Sequence, residues 1–272
     1  MKQPRKILTS LIILTILISL FSPDVAAQTP YKLNTKKELI IIGSGLVIGG
    51  MGTYFTQKIN PLTMKEIYNL SRQDVNAFDR PATYNYSKSA TRWSDILVGS
   101  CIIFPTTLLS QKLIREDWQT FSMMYLQTLM FSNFIPMVSK GRVQRIRPYV
   151  YNEDAPLEKK MDTNAKLSFY SGHTTNAFAS SVFFSTTYSH YYPNSRWKPY
   201  IWTASLGLAT VVGYLRFEAG KHFPSDILLG ALVGSVIGYF VPYLHRAENS
   251  GNSAELSFAP LQNVGFQMRF NF

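Results

Sequence analysis

Long apolar runs alternate with polar segments along the chain. Five runs are strongly apolar, and a sixth, weaker run is rich in Ser, Thr and aromatic residues. The five are residues 39–55, 96–110, 121–138, 200–215 and 227–244, and the sixth is 174–189. All are long for buried strands, and their glycines and prolines are spaced as in packed helices. The pattern predicts an all-α fold, a bundle of six main helices.

Glycines at intervals of four mark two of these runs. Gly45 and Gly49 lie in the first run, and Gly230, Gly234 and Gly238 lie in the last. Small residues at this spacing let helices approach closely, above all in membranes. Most of the runs are shorter than the roughly 20 apolar residues that a spanning helix needs. The pattern therefore leaves a membrane bundle and a soluble bundle open.

Composition changes this balance slightly. Charged residues make up only 16% of the chain, against about 25% in an average soluble domain. Aromatic residues reach 14%, although the mean hydropathy of -0.01 is low for a chain that lies mostly in lipid. We expect a membrane-associated bundle.

The first 27 residues predict an export signal. Lys2, Arg5 and Lys6 precede an apolar stretch over 7–21, and small residues at 25–27 offer a cleavage site. The alternative is a signal anchor that stays attached. In both cases we expect a protein of the cell envelope whose active site faces the periplasm.

Counting the crossings constrains that expectation. If the exported N-terminus is outside and all six runs cross the membrane, the loop after 121–138 lies in the cytoplasm. If the run 39–55 does not cross, the same loop faces outward. Either this run packs beside the bundle, or the mature protein is soluble.

The chain changes character after Arg246. Residues 247–272 predict a linker followed by a short β-hairpin, because every second residue from Val264 to Phe272 is apolar. Residues 255–259 supply its partner strand. Residues 28–246 then form one helical domain, between the signal and this tail.

Charge and cysteine content limit the partners. The net charge of +11 favours phosphates or anionic lipids. Nucleic acid is not expected, because the lysines and arginines form no dense stripe. Cys101 is the chain's one cysteine, which excludes an internal disulfide and a CxxC metal site. The sequence gives no indication of the oligomeric state.

Three polar stretches carry the chemistry. They are Lys140-x6-Arg147-Pro148, Ser171-Gly172-His173, and Arg216-x5-His222-x3-Asp226.

These residue types suit phosphoryl transfer without a metal. Lys140, Arg147 and Arg216 would clamp the phosphoryl oxygens, since guanidinium groups bind them in pairs. The backbone N–H groups of Ser171 and Gly172, at a helix N-terminus, would add donors and the positive end of the helix dipole. We expect a phosphate site at that helix start.

The two histidines divide the remaining work. Asp226 follows His222 by four residues, which on a helix brings its carboxylate near the ring to fix the tautomer. His222 is therefore the predicted nucleophile. His173, with no apparent carboxylate partner, is the predicted general acid. His190 and His245 match nothing in this set, and we expect them at the surface or at an interface.

Together the three stretches resemble the signature motifs of the type 2 phosphatidic acid phosphatase (PAP2) superfamily, which also holds bacterial acid phosphatases and vanadium haloperoxidases. The resemblance covers about residues 39–246. It implies a helical bundle, a covalent phosphohistidine on His222 and no metal or other cofactor. Two positions depart from the family's pattern: Tyr170 replaces a usual proline, and Leu215 replaces a usual serine.

Several functions follow from the resemblance. The first is a phosphatase acting on a lipid such as phosphatidic acid, an isoprenoid pyrophosphate or lipid A. Alternatives are a soluble periplasmic acid phosphatase on small phosphomonoesters, a vanadate-dependent haloperoxidase, and a membrane protein without catalysis. The filled motif positions argue against the last.

Overall fold

The computed structural model describes residues 29–247 together with the backbone of 258–260 and 266–268. This part of the chain contains nine α-helices. They are α1 Thr35–Gln57, α2 Met64–Tyr68, α3 Lys88–Ile103, α4 Lys112–Glu116, α5 Trp118–Val143, α6 Leu157–Lys160, α7 Gly172–Tyr191, α8 Lys198–Glu218 and α9 Pro224–Leu244.

The six apolar runs each fall within one of the longer helices or its 3₁₀ extension, since residues 104–110 continue α3 as a 3₁₀ segment. The described residues contain nine α-helices, whereas the sequence predicted six main ones. The three additional helices are short: α2, α4 and α6 have only four or five residues. Helices of one turn are too short to show an apolar period, so the sequence gives no signal for them.

Two short strands follow the helices. β1, Phe258–Pro260, pairs antiparallel with β2, Phe266–Met268, with Ala259 opposite Gln267. The rest of the hairpin predicted for the tail, the linker before it and the predicted export signal lie outside the described residues.

Glycines bring two pairs of helices into close contact. A Cβ added at Gly45 of α1 would meet Met130 of α5, and one at Gly52 would meet Met137. The residue contacted in α5 has a higher number when the glycine in α1 has a higher number, so α1 and α5 run parallel. A Cβ at Gly234 of α9 would lie 2.4 Å from the carbonyl oxygen of Thr175 in α7. The four-residue glycine spacing therefore marks tight helix packing in both pairs.

The core lies between α5, α7 and α9. Phe121 and Met124 of α5 pack with Phe183 of α7 and Ile237 of α9, and all four are buried. The rings of Phe121 and Phe183 meet edge to face with centroids 5.4 Å apart. This packing fixes the ends of the helices, where the polar motifs lie.

Large apolar side chains cover the outside of the bundle. Leu228, Leu232 and Val236 of α9 are each more than half exposed, as are Leu39 and Ile40 of α1. Among the described residues, three segments are long and apolar enough to cross a membrane. They are Thr35–Gln57, Lys88–Ser110 and Pro224–Leu244.

The two histidines outside the motifs are not at the surface. His245 is 1% exposed, and its Nε2 lies 3.1 Å from Glu38 of α1. His190 is half-buried, with Nδ1 2.7 Å from the Tyr31 hydroxyl. The prediction was a position at the surface or at an interface, and the surface position is wrong for the buried His245. Each histidine contacts a polar group from the N-terminal part of the described chain, and residue spacing does not reveal such a contact.

Candidate active site

All three polar stretches meet at one end of the bundle, because each lies at a helix end. Lys140 is in the last turn of α5 and Arg216 in the last turn of α8. Ser171 caps the start of α7, and Asp226 lies in the first turn of α9. The Nζ of Lys140 comes within 3.2 Å of the place where a Cβ on Gly172 would stand. A side chain at 172 would therefore press on this ammonium group.

His222 has one free ring nitrogen. Its side chain is fully buried, and Nδ1 lies 2.8 Å from the carbonyl oxygen of Ser168. A carbonyl oxygen only accepts, so Nδ1 carries the hydrogen and Nε2 carries the lone pair. Within the described residues this buried Nε2 has no hydrogen-bond partner. Burial and the nearby cations Arg147 and Arg216 hold the pKa of His222 well below its usual value, so the ring is neutral and its Nε2 lone pair is available.

Asp226 contacts this histidine less directly than its spacing predicts. Its Oδ2 is 3.8 Å from Nδ1 of His222, beyond hydrogen-bond length. The same oxygen accepts the Ser168 hydroxyl at 2.6 Å and the backbone N–H of Phe223 at 3.0 Å. Asp226 therefore positions the segment whose carbonyl holds the ring, and the predicted direct contact is corrected to an indirect one.

An arginine that the sequence reasoning passed over anchors Asp226. Arg145 donates to Oδ1 of Asp226 at 2.6 Å and to Asp79 at 2.7 Å. Asp79 also accepts the hydroxyl and the backbone N–H of Ser225. The guanidinium of Arg145 lies 3.9 Å from the ring centre of Phe223. This network ties the polar segment before α3 to the start of α9.

His173 has a carboxylate partner after all. Its Nε2 lies 3.0 Å from Oδ1 of Asp95, which also accepts from Arg216 at 3.1 Å. The prediction of no such partner is wrong, because Asp95 lies 78 residues away in α3. The only available signal was a carboxylate at the start of an apolar run.

The two arginines of the clamp keep donors available. Arg147 is buried and donates from Nε to the carbonyl of Asn164 at 2.8 Å and from Nη1 to the carbonyl of Lys221 at 3.3 Å. Arg216 uses Nη1 on Ser94 and Asp95, while its buried Nε lacks a partner among the described residues. Unpaired buried donors are costly, so the arrangement suits an incoming anion.

The start of α7 offers donors one position later than predicted. The backbone N–H of Ser171 already donates to the carbonyl of Asp226 at 3.1 Å, and the Ser171 hydroxyl caps Thr174. The N–H groups of Gly172 and His173 have no acceptor within the described residues. An anion at this helix start would therefore be held by 172 and 173, not by the Ser171 N–H.

Electrostatics show how the site responds to an anion. Burial together with Arg147 and Arg216 lowers the pKa of Lys140 to about 7. Burial, followed by the charges of Arg216, Lys140 and Arg147, lowers the pKa of His173 to about 3. A bound dianion opposes these cations and raises both pKa values. The site is thus built to gain its full charge only with an anion present.

The two departures from the family's pattern lie beside this centre. Tyr170 is 4% exposed, and its hydroxyl has no partner among the described residues. Leu215 is half-buried on α8, next to Arg216. Neither side chain replaces a charge of the clamp.

The helical bundle gathers buried cations, a helix N-terminus and a histidine with an open ring nitrogen, and this set of groups is suited to binding a phosphoryl group. Residues 121–250 of this chain match the model of the PAP2 superfamily. The match extends from α5 to α9, and the matched range includes all eight of the predicted site residues.

Two curated relatives come from Porphyromonas gingivalis. Lipid A 4'-phosphatase is 38% identical over 76 residues, which are 28% of this chain and 29% of the relative. Lipid A 1-phosphatase is 30% identical over 132 residues, which are 47% of this chain and 27% of the relative. The matches thus span less than a third of the length of either relative. No solved structure matches the chain.

Proposed function

We propose that this protein is a membrane phosphatase that hydrolyses a phosphate ester or diphosphate of a lipid through a phosphohistidine. The observation that carries the proposal is the unprotonated, buried Nε2 of His222 among the clamp cations. The match to the PAP2 superfamily and the names of the two relatives support a lipid phosphate as the substrate class.

In the first step Nε2 of His222 attacks phosphorus and the bond to the leaving oxygen breaks. Lys140, Arg147 and Arg216 stabilise the charge on the equatorial oxygens, as do the N–H groups of Gly172 and His173. His173 gives its proton to the leaving oxygen. In the second step water attacks phosphorus, the P–N bond breaks, and His173 takes a proton from that water. Inorganic phosphate leaves and both histidines return to their first state.

The exposed apolar helices favour a lipid substrate over a small soluble ester. An active site at the end of a membrane bundle lies where a lipid headgroup lies, so the ester need not leave the bilayer. Phosphatidic acid, an isoprenoid pyrophosphate and a lipid A type of substrate all fit this description. We further propose that the site faces the periplasm.

Phosphate release by detergent-purified protein tests the proposal. Lipid phosphates are compared with small phosphomonoesters, each with and without EDTA. We expect faster turnover of lipids and no loss in EDTA, because the clamp cations repel a divalent ion. Activity that EDTA abolishes and magnesium restores would refute the mechanism.

A labelling experiment tests the nucleophile. Rapid acid-free quenching with a phosphorus-labelled substrate should leave an acid-labile, alkali-stable label on the wild type. The label should vanish in His222→Ala and persist in His190→Ala, a matched histidine that contacts Tyr31 and not the site. Labelling of His222→Ala would reassign the nucleophile.

A further inference from the structure

A second cationic cavity adjoins the catalytic centre. It has a volume of about 610 Å³, within the range of small-molecule pockets. Lys88 and Arg92 line it from the start of α3, Lys159 from α6, and Lys221 from the loop before α9. None of these four belongs to the predicted phosphate clamp.

The four cations lack an anionic partner in the described part of the chain. Within residues 29–247, no carboxylate lies in ion-pair distance of Lys88, Arg92, Lys159 or Lys221. Two of the ammonium groups lie over aromatic rings instead. Nζ of Lys221 is 4.9 Å from the ring centre of Tyr149, and that of Lys159 is 5.8 Å from that of Tyr86. Four cations around one cavity repel each other, and a bound anion relieves that repulsion.

The cavity is continuous with the catalytic residues along the chain. Lys221 directly precedes His222, and its carbonyl accepts from Nη1 of Arg147. Arg92 stands one turn before Asp95, the partner of His173 and Arg216. Burial and the neighbouring Arg147 lower the pKa of Lys221 to about 8. Lys221 thus links the cavity to the clamp, and the groups that follow the first phosphate of a substrate can extend toward this cavity.

We propose that this cavity binds a second anionic group of the substrate, so that the protein selects lipid headgroups carrying two phosphates. This inference rests on the proposed function and adds a specificity site to it. The second group has one chemistry, a phosphate, and two sources. It is the inner phosphate of a diphosphate, or a separate phosphate elsewhere on the headgroup.

Binding of small probes tests the cavity without turnover. Calorimetry on the detergent-purified protein compares methylenediphosphonate with methylphosphonate. We expect the wild type to bind the diphosphonate at least tenfold more tightly. The double variant Arg92→Gln, Lys159→Gln should lose most of that preference, since each exposed cation contributes roughly three- to fivefold. Lys65→Gln removes an exposed lysine of α2 and is the matched control, which should keep the preference.

Equal binding of the two probes by the wild type overturns the inference, as does an unchanged preference in the double variant. This result does not depend on hydrolysis. A protein that prefers the diphosphonate but hydrolyses no lipid phosphate refutes the proposed function alone.

Turnover then identifies the source of the second phosphate. We measure kcat/KM for an isoprenoid diphosphate and for a disaccharide lipid with two separate phosphates. Each value is divided by the kcat/KM of a lipid monophosphate. A fall of about tenfold in one ratio in the double variant assigns the second phosphate to that substrate. If neither ratio falls, the cavity takes no part in selection and the inference is wrong.

Discussion

Lys140 should set the upper pH limit of catalysis. Its ammonium group lies within 3.2 Å of the Cβ position of Gly172 and near Arg147 and Arg216, and burial with these charges lowers its pKa to about 7. Lys140 is therefore charged below pH 7 and neutral above it. Because the proposed mechanism needs the charged form of Lys140 to bind the phosphoryl group, kcat/KM for the free protein should fall as the pH rises through this value.

The size of the fall follows from that pKa. At pH 9 roughly 1% of Lys140 keeps its proton, so kcat/KM should drop about a hundredfold from its plateau. The drop cannot exceed what the charge contributes, which for one transition-state donor is on the order of 10²–10³. The fall in kcat (the alkaline limb of its pH profile) should occur at a higher pH than the fall in kcat/KM, since the bound phosphoryl group raises the pKa of Lys140.

The assay uses p-nitrophenyl phosphate from pH 6.5 to 10. Its leaving group needs little protonation, so the titration of His173 does not shape the profile. Its second ionisation, near pH 6 for a phosphate ester, lies below the limb. The control is Lys140→Arg, whose guanidinium stays charged. In this variant the fall in kcat/KM should move above pH 9, even if crowding at Gly172 lowers the rate. A limb at the same pH in both proteins would show that another group titrates there.

Two further predictions test the acid and the packing. His173→Ala should lose about 10²–10⁴-fold on alkyl phosphates and much less on p-nitrophenyl phosphate, because only the poor leaving group needs its proton; equal losses would indicate a phosphate-binding role. Gly234→Ala should destabilise the bundle by about 1–3 kcal/mol, because its Cβ would lie 2.4 Å from the Thr175 carbonyl. Gly207→Ala, with nothing within 4 Å, should be neutral or gain up to about 1 kcal/mol. Midpoints of thermal unfolding in detergent compare the two glycine variants, and equal shifts would contradict the packing argument.

The local sequence was sufficient to predict the long helices and the motifs at their ends. Apolar length indicated the long helices, and glycine spacing indicated the faces on which α1 and α9 pack. The charged positions of the motifs sit at helix ends, so they meet once the bundle forms. These features are properties of segments shorter than about 25 residues, which a linear pattern can express.

The contacts that tune the site could not be predicted in this way. Asp95 meets His173 from 78 positions away, and Ser168 reaches Asp226 across 58. The four-residue spacing of His222 and Asp226 suggested a direct pair, yet the Ser168 carbonyl occupies Nδ1. Such partners depend on how helices cross, and a backbone carbonyl leaves no mark in the sequence.

The packing of α1 also bears on which side of the membrane the site faces. A Cβ on Gly141, next to Lys140, would meet Phe55 near the end of α1, so that end lies beside the catalytic centre. The 23 residues of α1 rise roughly 35 Å, which places Thr35 at the opposite end of the bundle. Tyr31 and Arg246 form a β-bridge there, so both flanks of the helical domain lie on one face.

This geometry sets two of the sequence predictions against each other. If all six long helices cross, a periplasmic catalytic centre requires residue 31 on the cytoplasmic side, whereas cleavage of an export signal leaves it outside. The alternative, in which the run 39–55 packs beside the bundle without crossing, is disfavoured because α1 packs along α5 and exposes Leu39 and Ile40 outward.

Single cysteines at Lys32 and Lys65, in a Cys101→Ser background, test the orientation with a membrane-impermeant maleimide on intact cells. We expect Lys65→Cys, which follows the end of α1 that packs beside Gly141, to be labelled and Lys32→Cys only after permeabilisation. Labelling of both from outside would show that the six helices do not all cross, and the reverse pattern would place the catalytic centre in the cytoplasm.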